Sequence, residues 1–462
     1  MGLNAREGEF MSRHDGVGKG PGTDARAVIV TVDLRRGAPT MRRTGLHRWV
    51  NSSTRGFGTP LLPRRVRFIA PIAIAAIVLA PASGAAPSQV DVEPPIQRSL
   101  ILNAFGDAEG TYGESLPFLK VLMEKVDRSG ESAYCRVVVE GQISGQPVAV
   151  IVSGTGGGNS GPCMQEMLGW YSPSIKEVIW SGIGGATPAI GGMYDEAGAR
   201  LGNPAVMIGD VCVGTSSWSW DLHFSNVNDW AASRNPPSDM YRPSGGWWPM
   251  VSSQGKEVVP GFDDIQQLVV ADPALADEVL AAAGSVRLPR RPASVAKKIA
   301  RFHPDRASWR PPTYHSYRIC GGEVSGDNFW HGATEDRLAR EYMSALMRSS
   351  GINPQAQAGD IVAFSAMEAV PWMSAVTRWD ARYGTRIPMV VLRAASNYDQ
   401  IPLRADGQPI LGKDGQPLTA MQDILLGFDD ASSAYAAYAS AAPVIRMFEL
   451  RAAPWNRMPS GG

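Results

Sequence analysis

Apolar residues in this chain gather in short runs separated by glycine- and proline-bearing turns, a pattern of strands alternating with helices. The clearest run is Pro388-Met389-Val390-Val391-Leu392, which leads through Arg393, Ala394 and Ala395 into Ser396-Asn397-Tyr398-Asp399. It predicts a buried strand that delivers polar side chains from its carboxyl end, where open α/β sheets place their chemistry. Upstream, Ala366-Met367-Glu368-Ala369 opens a helical pattern running toward Tyr383, which sets a carboxylate beside that strand end.

Residues 99–105 predict a first strand, followed by a loop over 106–110 that carries Asp107 and Glu109. A helix is expected from about 114 to 126, with Leu116, Leu119 and Leu122 or Val126 on one face. Residues 136–140 and 147–153 predict a hairpin around 141–145. Its second strand ends in Gly154-Thr155-Gly156-Gly157-Gly158, and Met164, Met167 and Leu168 then recur at helical spacing. Glycines there let a ligand approach the backbone, and the helix start presents free amide donors. A strand over 177–181 runs into Gly182-Ile183-Gly184-Gly185-Ala186, which reads as a second glycine loop, and 208–213 resumes the sheet.

Residues 216–310 read as an insertion, with Trp218, Trp220, Trp230, Trp247 and Trp248 in its first part, a helix over 272–283 and a surface connector over 287–310. A strand over 314–319, an amphipathic helix over 335–348 and a closing helix over 427–444 complete the pattern. This order predicts one three-layer α/β/α sandwich with a mixed central sheet, and the site along its carboxyl edge.

Composition narrows the class. The chain has 462 residues, 44% hydrophobic and 19% charged, and 44 basic residues balance 44 acidic ones. That balance leaves no electrostatic footprint for nucleic acid or an anionic membrane surface. Residues 1–63 lack sustained periodicity and read as a disordered or overextended start, with Met41 as an alternative initiator. Residues 64–86 join a basic flank, an apolar run and the small residues Ser83, Gly84, Ala85 and Ala86, the pattern of a secretory signal cleaved near Ala85. An uncleaved membrane anchor is the alternative, although the run is shorter than the roughly twenty residues a spanning helix needs. Export implies a secreted or periplasmic protein with one domain over 87–462. Cys135, Cys163, Cys212 and Cys320 then admit one or two disulfides, with three full pairings open. None forms a Cys-x-x-Cys pair and the histidines are scattered, so no metal site is expected.

Met367-Glu368, a helix, and a strand ending in Arg393-Ala394-Ala395-Ser396-Asn397-Tyr398-Asp399 resemble the nucleoside phosphorylase and nucleosidase superfamily, most closely its purine nucleoside permease branch. The two glycine loops followed by Gly209-Asp210-Val211 are similar to that superfamily's central signature, and Ser325-Gly326-Asp327-Asn328-Phe329 to its purine-lining segment. The resemblance spans roughly residues 99–450. It implies that Glu368 holds the ribose hydroxyls, Met367 packs under the sugar, and Phe329 stacks on the base. Thr155, Gly156, Gly184, Gly185 and Asp327 are further expected substrate contacts. A carboxylate after the first strand, Asp107 or Glu109, would activate the attacking water.

Asn397 stands where nucleosidases carry an aspartate as general acid. An amide cannot transfer a proton but donates a hydrogen bond to charge developing on the base, and Asp399 could supply the proton through a loop rearrangement. The implied substrate is a small-molecule purine nucleoside, with no cofactor, phosphate as a possible co-substrate, and a homo-oligomeric assembly. Hexameric phosphorylases grip phosphate with an arginine and a serine where this chain has Trp180 and Ile183. Arg393 is the basic residue nearest the site in sequence, and strand alternation admits an orientation away from the pocket. Hydrolysis is therefore expected over phosphorolysis, with a nucleoside-binding protein aiding uptake, or a catalytically silent storage-type member, as the alternatives.

Overall fold

The computed structural model describes residues 96–187, 206–221, 223–225, 247–249, 268–302, 309–327, 333–399, 415 and 430–453. All belong to one compact unit, Gln89–Gly462. The expected signal segment, Trp230 and Phe329 lie outside the described residues.

The first seven strands are β1 (Arg98–Asn103), β2 (Met123–Asp127), β3 (Val137–Ile143), β4 (Gln146–Val152), β5 (Ile175–Ala186), β6 (Val211–Gly214) and β7 (Ser216–Ser219). A separate antiparallel ribbon pairs β8 (His223–Ser225) with β9 (Trp247–Pro249). Then come β10 (Leu268–Val270), β11 (Tyr314–Ser316), β12 (Gly322–Ser325), β13 (Phe364–Ala366) and β14 (Met389–Tyr398). The helices are α1 (Leu116–Val121), α2 (Gly157–Tyr171), α3 (Ala274–Ala283), α4 (Ala293–Phe302), α5 (Tyr317–Cys320), α6 (Ala333–Ser349), α7 (Ala369–Tyr383) and α8 (Asp430–Ala452).

Twelve strands form one mixed sheet running β10-β7-β12-β13-β5-β1-β4-β3-β2, with β14 between β5 and β6 and β11 beyond β6. Alternation along the central strands sorts side chains to two buried faces. Ile101, Val150, Ile179, Val390 and Leu392 pack with residues of α1, α3 and α8, whereas Leu100, Ile151, Val178, Trp180 and Val391 pack with residues of α2 and α7. Apolar runs without polar alternation belong to such doubly covered sheets. The three-layer sandwich expected from the sequence is thus the observed fold.

β5 is the hub. On one side it pairs with β14 from Val178 to Ala186; on the other it pairs with β1 as far as Trp180, and with β13 only at Gly185 and Ala186. Between the end of β1 and the start of β13 that edge of β5 is open to side chains.

Several elements depart from expectation. The helix over 114–126 stops at Val121, and Met123–Asp127 pairs instead with β3 as an exposed edge strand. Phe118, Leu119 and Leu122 fill the core while Val126 faces solvent. The hairpin turn contracts to Ser144 and Gly145, both at positive φ, so Gly141 remains within β3. Residues 182–186 are strand rather than loop. Within the expected connector, α4 buries Val295 and Ile299 against Met207, Ile208 and Tyr398. The expected strand over 314–319 turns after Ser316 into α5, and Gly321 at positive φ redirects the chain into β12. β7 and β10, which fall in the 216–310 segment, belong to the main sheet. Two disulfides, Cys135–Cys163 and Cys212–Cys320, settle the pairing that spacing left open. Among the described residues no helix is long and apolar enough to cross a membrane.

Candidate active site

A cavity of about 110 Å³ opens at the unpaired stretch of β5. Its wall brings together Glu114, Ile183, Ser365, Met367, Glu368, Arg393 and Asn397.

Arg393 is the centre of the polar wall. It sits opposite Gly182 in the β14–β5 register, on the α2/α7 face of the sheet, with its guanidinium 5.3 Å from the ring centre of Trp180. Its Nη2 donates to Glu368 Oε2 at 2.6 Å, its Nη1 to the Ile183 carbonyl at 3.1 Å, and its Nε to Glu323 Oε2. Glu114 Oε1 lies 3.9 Å from Nη1. The orientation away from the pocket is therefore not the one adopted. Gly182 is the reason: a Cβ there would strike Arg393 and stand 2.7 Å from Glu114 Oε1.

Glu368 precedes α7, yet its side chain does not cap that helix. Glu323 does so instead, its Oε1 accepting from the amides of Glu368 at 3.1 Å and Ala369 at 2.8 Å. A carboxylate at a helix start is favourable, and this one frees Glu368 to face the cavity. Glu368 Oε1 accepts from the Gly156 amide at 3.0 Å and keeps lone-pair capacity for a ligand hydroxyl, while Oε2 accepts from the Met367 amide at 3.2 Å as well as from Arg393.

Glu114 is the site residue that sequence reasoning missed. The loop after β1 pinches at a Gly106–Gly113 bridge, and the Glu114 amide donates to the Phe105 carbonyl at 2.9 Å, so the residue returns to the strand end. Its carboxylate accepts from the amides of Ala104 and Ile183, each at 2.6 Å. Burial pushes its carboxyl up to about 7, against the pull of the Arg393 charge and with the Glu368 charge adding to the rise. Asp107 and Glu109 stay in the pinched-off loop: Asp107 accepts from the Thr111 amide at 2.7 Å and Glu109 is exposed. Neither lines the cavity, which corrects the expectation for both.

The glycine loop before α2 is also occupied differently from expectation. Thr155 lines the rim of the cavity, but the Gly156 amide is taken by Glu368, and the Gly157 amide donates to Asp327 Oδ1 at 2.7 Å. Asp327 serves as the cap of α2, not as cavity lining. Gly184 and Gly185 line the cavity as strand residues.

Ser396 bulges out of the β14–β5 register, which brings Asn397 opposite Gly185 and into the wall. Asp399 lies behind that wall, fully buried, where it accepts from Ser365 Oγ at 2.8 Å. Burial, and then the nearby Asp336 carboxylate, raise its carboxyl well above the ordinary range. Its Oδ2 has no hydrogen-bond partner among the described residues. The signal for this buried network was available in part: Glu323 and Arg393 are charges within apolar strands, which a folded protein tolerates only when they are paired. Among the described residues no cluster of His, Cys, Asp or Glu could hold a metal ion.

No protein-family profile and no curated protein matches the chain. Among solved structures, a 5'-methylthioadenosine/S-adenosylhomocysteine nucleosidase from Neisseria meningitidis aligns at 14% identity over 77% of this chain and 99% of its own, with a TM-score of 0.42. Futalosine hydrolase of Helicobacter pylori aligns at 15% identity over 77% and 98%, with a TM-score of 0.40. A 5'-methylthioadenosine/S-adenosylhomocysteine nucleosidase from S. pneumoniae aligns at 14% identity over 76% and 99%, also with a TM-score of 0.40. These comparisons lend the permease branch no support.

Proposed function

We propose that this protein hydrolyses the N-glycosidic bond of a purine nucleoside. The observation that carries the reading is a pair of carboxylates with different surroundings on one cavity: Glu368 against Arg393, and Glu114 with its carboxyl pushed up to about 7. Glu368 accepts the vicinal ribose hydroxyls, and Met367 packs beside the sugar. As the carbon–nitrogen bond lengthens, its electron pair leaves with the base and positive charge grows on the sugar. Glu114 takes a proton from the water that attacks the anomeric carbon, work that suits a base titrating near neutrality. The Asn397 amide donates to the departing base. The purine assignment rests on the resemblance of residues 325–329 to a purine-lining segment.

Water is favoured over phosphate as the nucleophile. Arg393 is the basic residue of the wall, and its guanidinium is already bound by Glu368, Glu323 and the Ile183 carbonyl. The amides of Gly156 and Gly157, which could otherwise cradle an anion, are occupied by carboxylates. A phosphate entering here meets negative charge. We also assign the protein to a secreted or periplasmic location, supported by the signal pattern over 64–86 and by the two disulfides.

The test is to incubate purified protein with adenosine, inosine or guanosine in phosphate-free buffer, then to add phosphate. Free base and ribose without phosphate are expected. Strict phosphate dependence with ribose 1-phosphate as product would overturn hydrolysis, and stoichiometric binding without base release would favour the uptake-related reading.

A further inference from the structure

Asn397 leaves the departing base without a proton donor at the position nearest it, yet a buried acid stands one hydroxyl away. Ser365 and Asn397 lie on opposite sides of Gly185 in the sheet, both in register with it, so both polar groups border the same part of the cavity. Behind Ser365, Asp399 Oδ1 is 2.8 Å from its Oγ, and the Asp399 amide is fixed by the Ala186 carbonyl at 3.1 Å. Gly185 keeps this passage clear: a Cβ there would strike Asp399 Oδ1 and stand 2.7 Å from Ser365 Oγ. Asp336, the other acid near Asp399, is already bound by Thr187 Oγ1 at 2.6 Å and Arg340 Nε at 3.1 Å.

We propose that Asp399 supplies the proton for the departing base through the hydroxyl of Ser365, a relay that replaces the acid missing at Asn397. The inference rests on the reading of the cavity as a nucleosidase site. A hydroxyl is both donor and acceptor. When Asp399 carries the proton it donates to Ser365 Oγ, and the serine hydrogen is then free to point into the cavity. As the glycosidic bond breaks, the electron pair departs with the base nitrogen, which takes the Ser365 proton while Asp399 Oδ1–H re-protonates Oγ. Water adds to the anomeric carbon and gives its proton to Glu114. Asp399 remains as a carboxylate until product leaves, then recovers a proton from solvent, and Glu114 returns its own. The buried, cation-free setting of Asp399 among the described residues favours the protonated acid this sequence needs.

The test compares two leaving groups in the full-length protein. Inosine requires protonation of its base, whereas 4-nitrophenyl β-D-riboside releases a phenolate that does not. Asp399→Asn and Ser365→Ala should each lose cleavage of inosine by roughly 10²–10⁴-fold more than cleavage of the nitrophenyl riboside, the size of a general-acid contribution. Ser365→Thr, which keeps the hydroxyl, should restore most of the inosine activity, and the double variant should lose no more than either single one. Equal losses on both substrates, or full inosine activity in Ser365→Ala, would overturn the relay. A wild-type protein that cleaves neither substrate would instead overturn the nucleosidase reading beneath it.

Discussion

Glu114 receives two backbone N–H bonds and lies 3.9 Å from a guanidinium nitrogen, all of which favour its charged form, yet burial outweighs them. The sign of the consequence is definite. A carboxyl raised to about 7 is protonated below that pH and cannot accept a proton from water, so cleavage should rise with pH and level off above a midpoint near 7. The same shift lends stability to the fold at low pH, a contribution lost as pH rises through about 7. Glu114→Gln should lower the cleavage rate by roughly 10²–10⁴-fold and abolish the low-pH limb, read from a pH–rate profile on inosine. A variant that keeps that limb would assign it to another group. Met367 and Glu368 were legible in the sequence because they stand together at a helix start beside a strand end. Glu114 was not, because nothing local reveals that Gly106 and Gly113 close the loop and return residue 114 to the strand that residue 105 leaves.

At the scale of elements, the apolar runs of β1, β3, β4 and β14 were readable because both faces of the sheet are covered. The runs that misled are those in which a side chain serves a neighbour rather than its own element. Leucines at 116, 119 and 122 have helical spacing, but the helix ends where backbone pairing with β3 begins. Glycines at 182, 184 and 185 suggest a loop, whereas they are strand positions stripped of side chains so that groups from β14, β13 and the 106–114 loop can lie across β5. Gly182→Ala should therefore displace Arg393 and Glu114 and cost about 1–3 kcal/mol, the range for overpacking a tight interior. Gly158→Ala is the matched control, because a Cβ at that position meets nothing within 4 Å. Urea midpoints for the two variants decide the matter; equal midpoints would mean that β5 yields more easily than its packing indicates.

For the whole molecule, the sequence left three disulfide pairings open, and the choice among them is made by the pairing of strands that lie far apart in sequence. β11 lies parallel to β6, which brings α5 and Cys320 against Cys212. That bridge spans 108 residues, against 28 for Cys135–Cys163. In the chain-entropy view, restricting the longer loop should contribute more, within a range of roughly 2–5 kcal/mol for loss of a native bridge. Replacing Cys212 and Cys320 together by alanine should thus lower the urea midpoint more than replacing Cys135 and Cys163. The opposite order would show that strain or residual structure governs instead.

The two bridges also join the first cysteine to the second and the third to the fourth. A ribosome releases the chain from its N-terminus, so each thiol meets its proper partner before the next unpaired one arrives, and no bond has to be broken for the native set to form. The cell's demand is for an oxidant alone. Yields of active protein should collapse in a host lacking its thiol oxidase and hold steady in one lacking only its disulfide isomerase, since the order of birth along the chain already does the sorting.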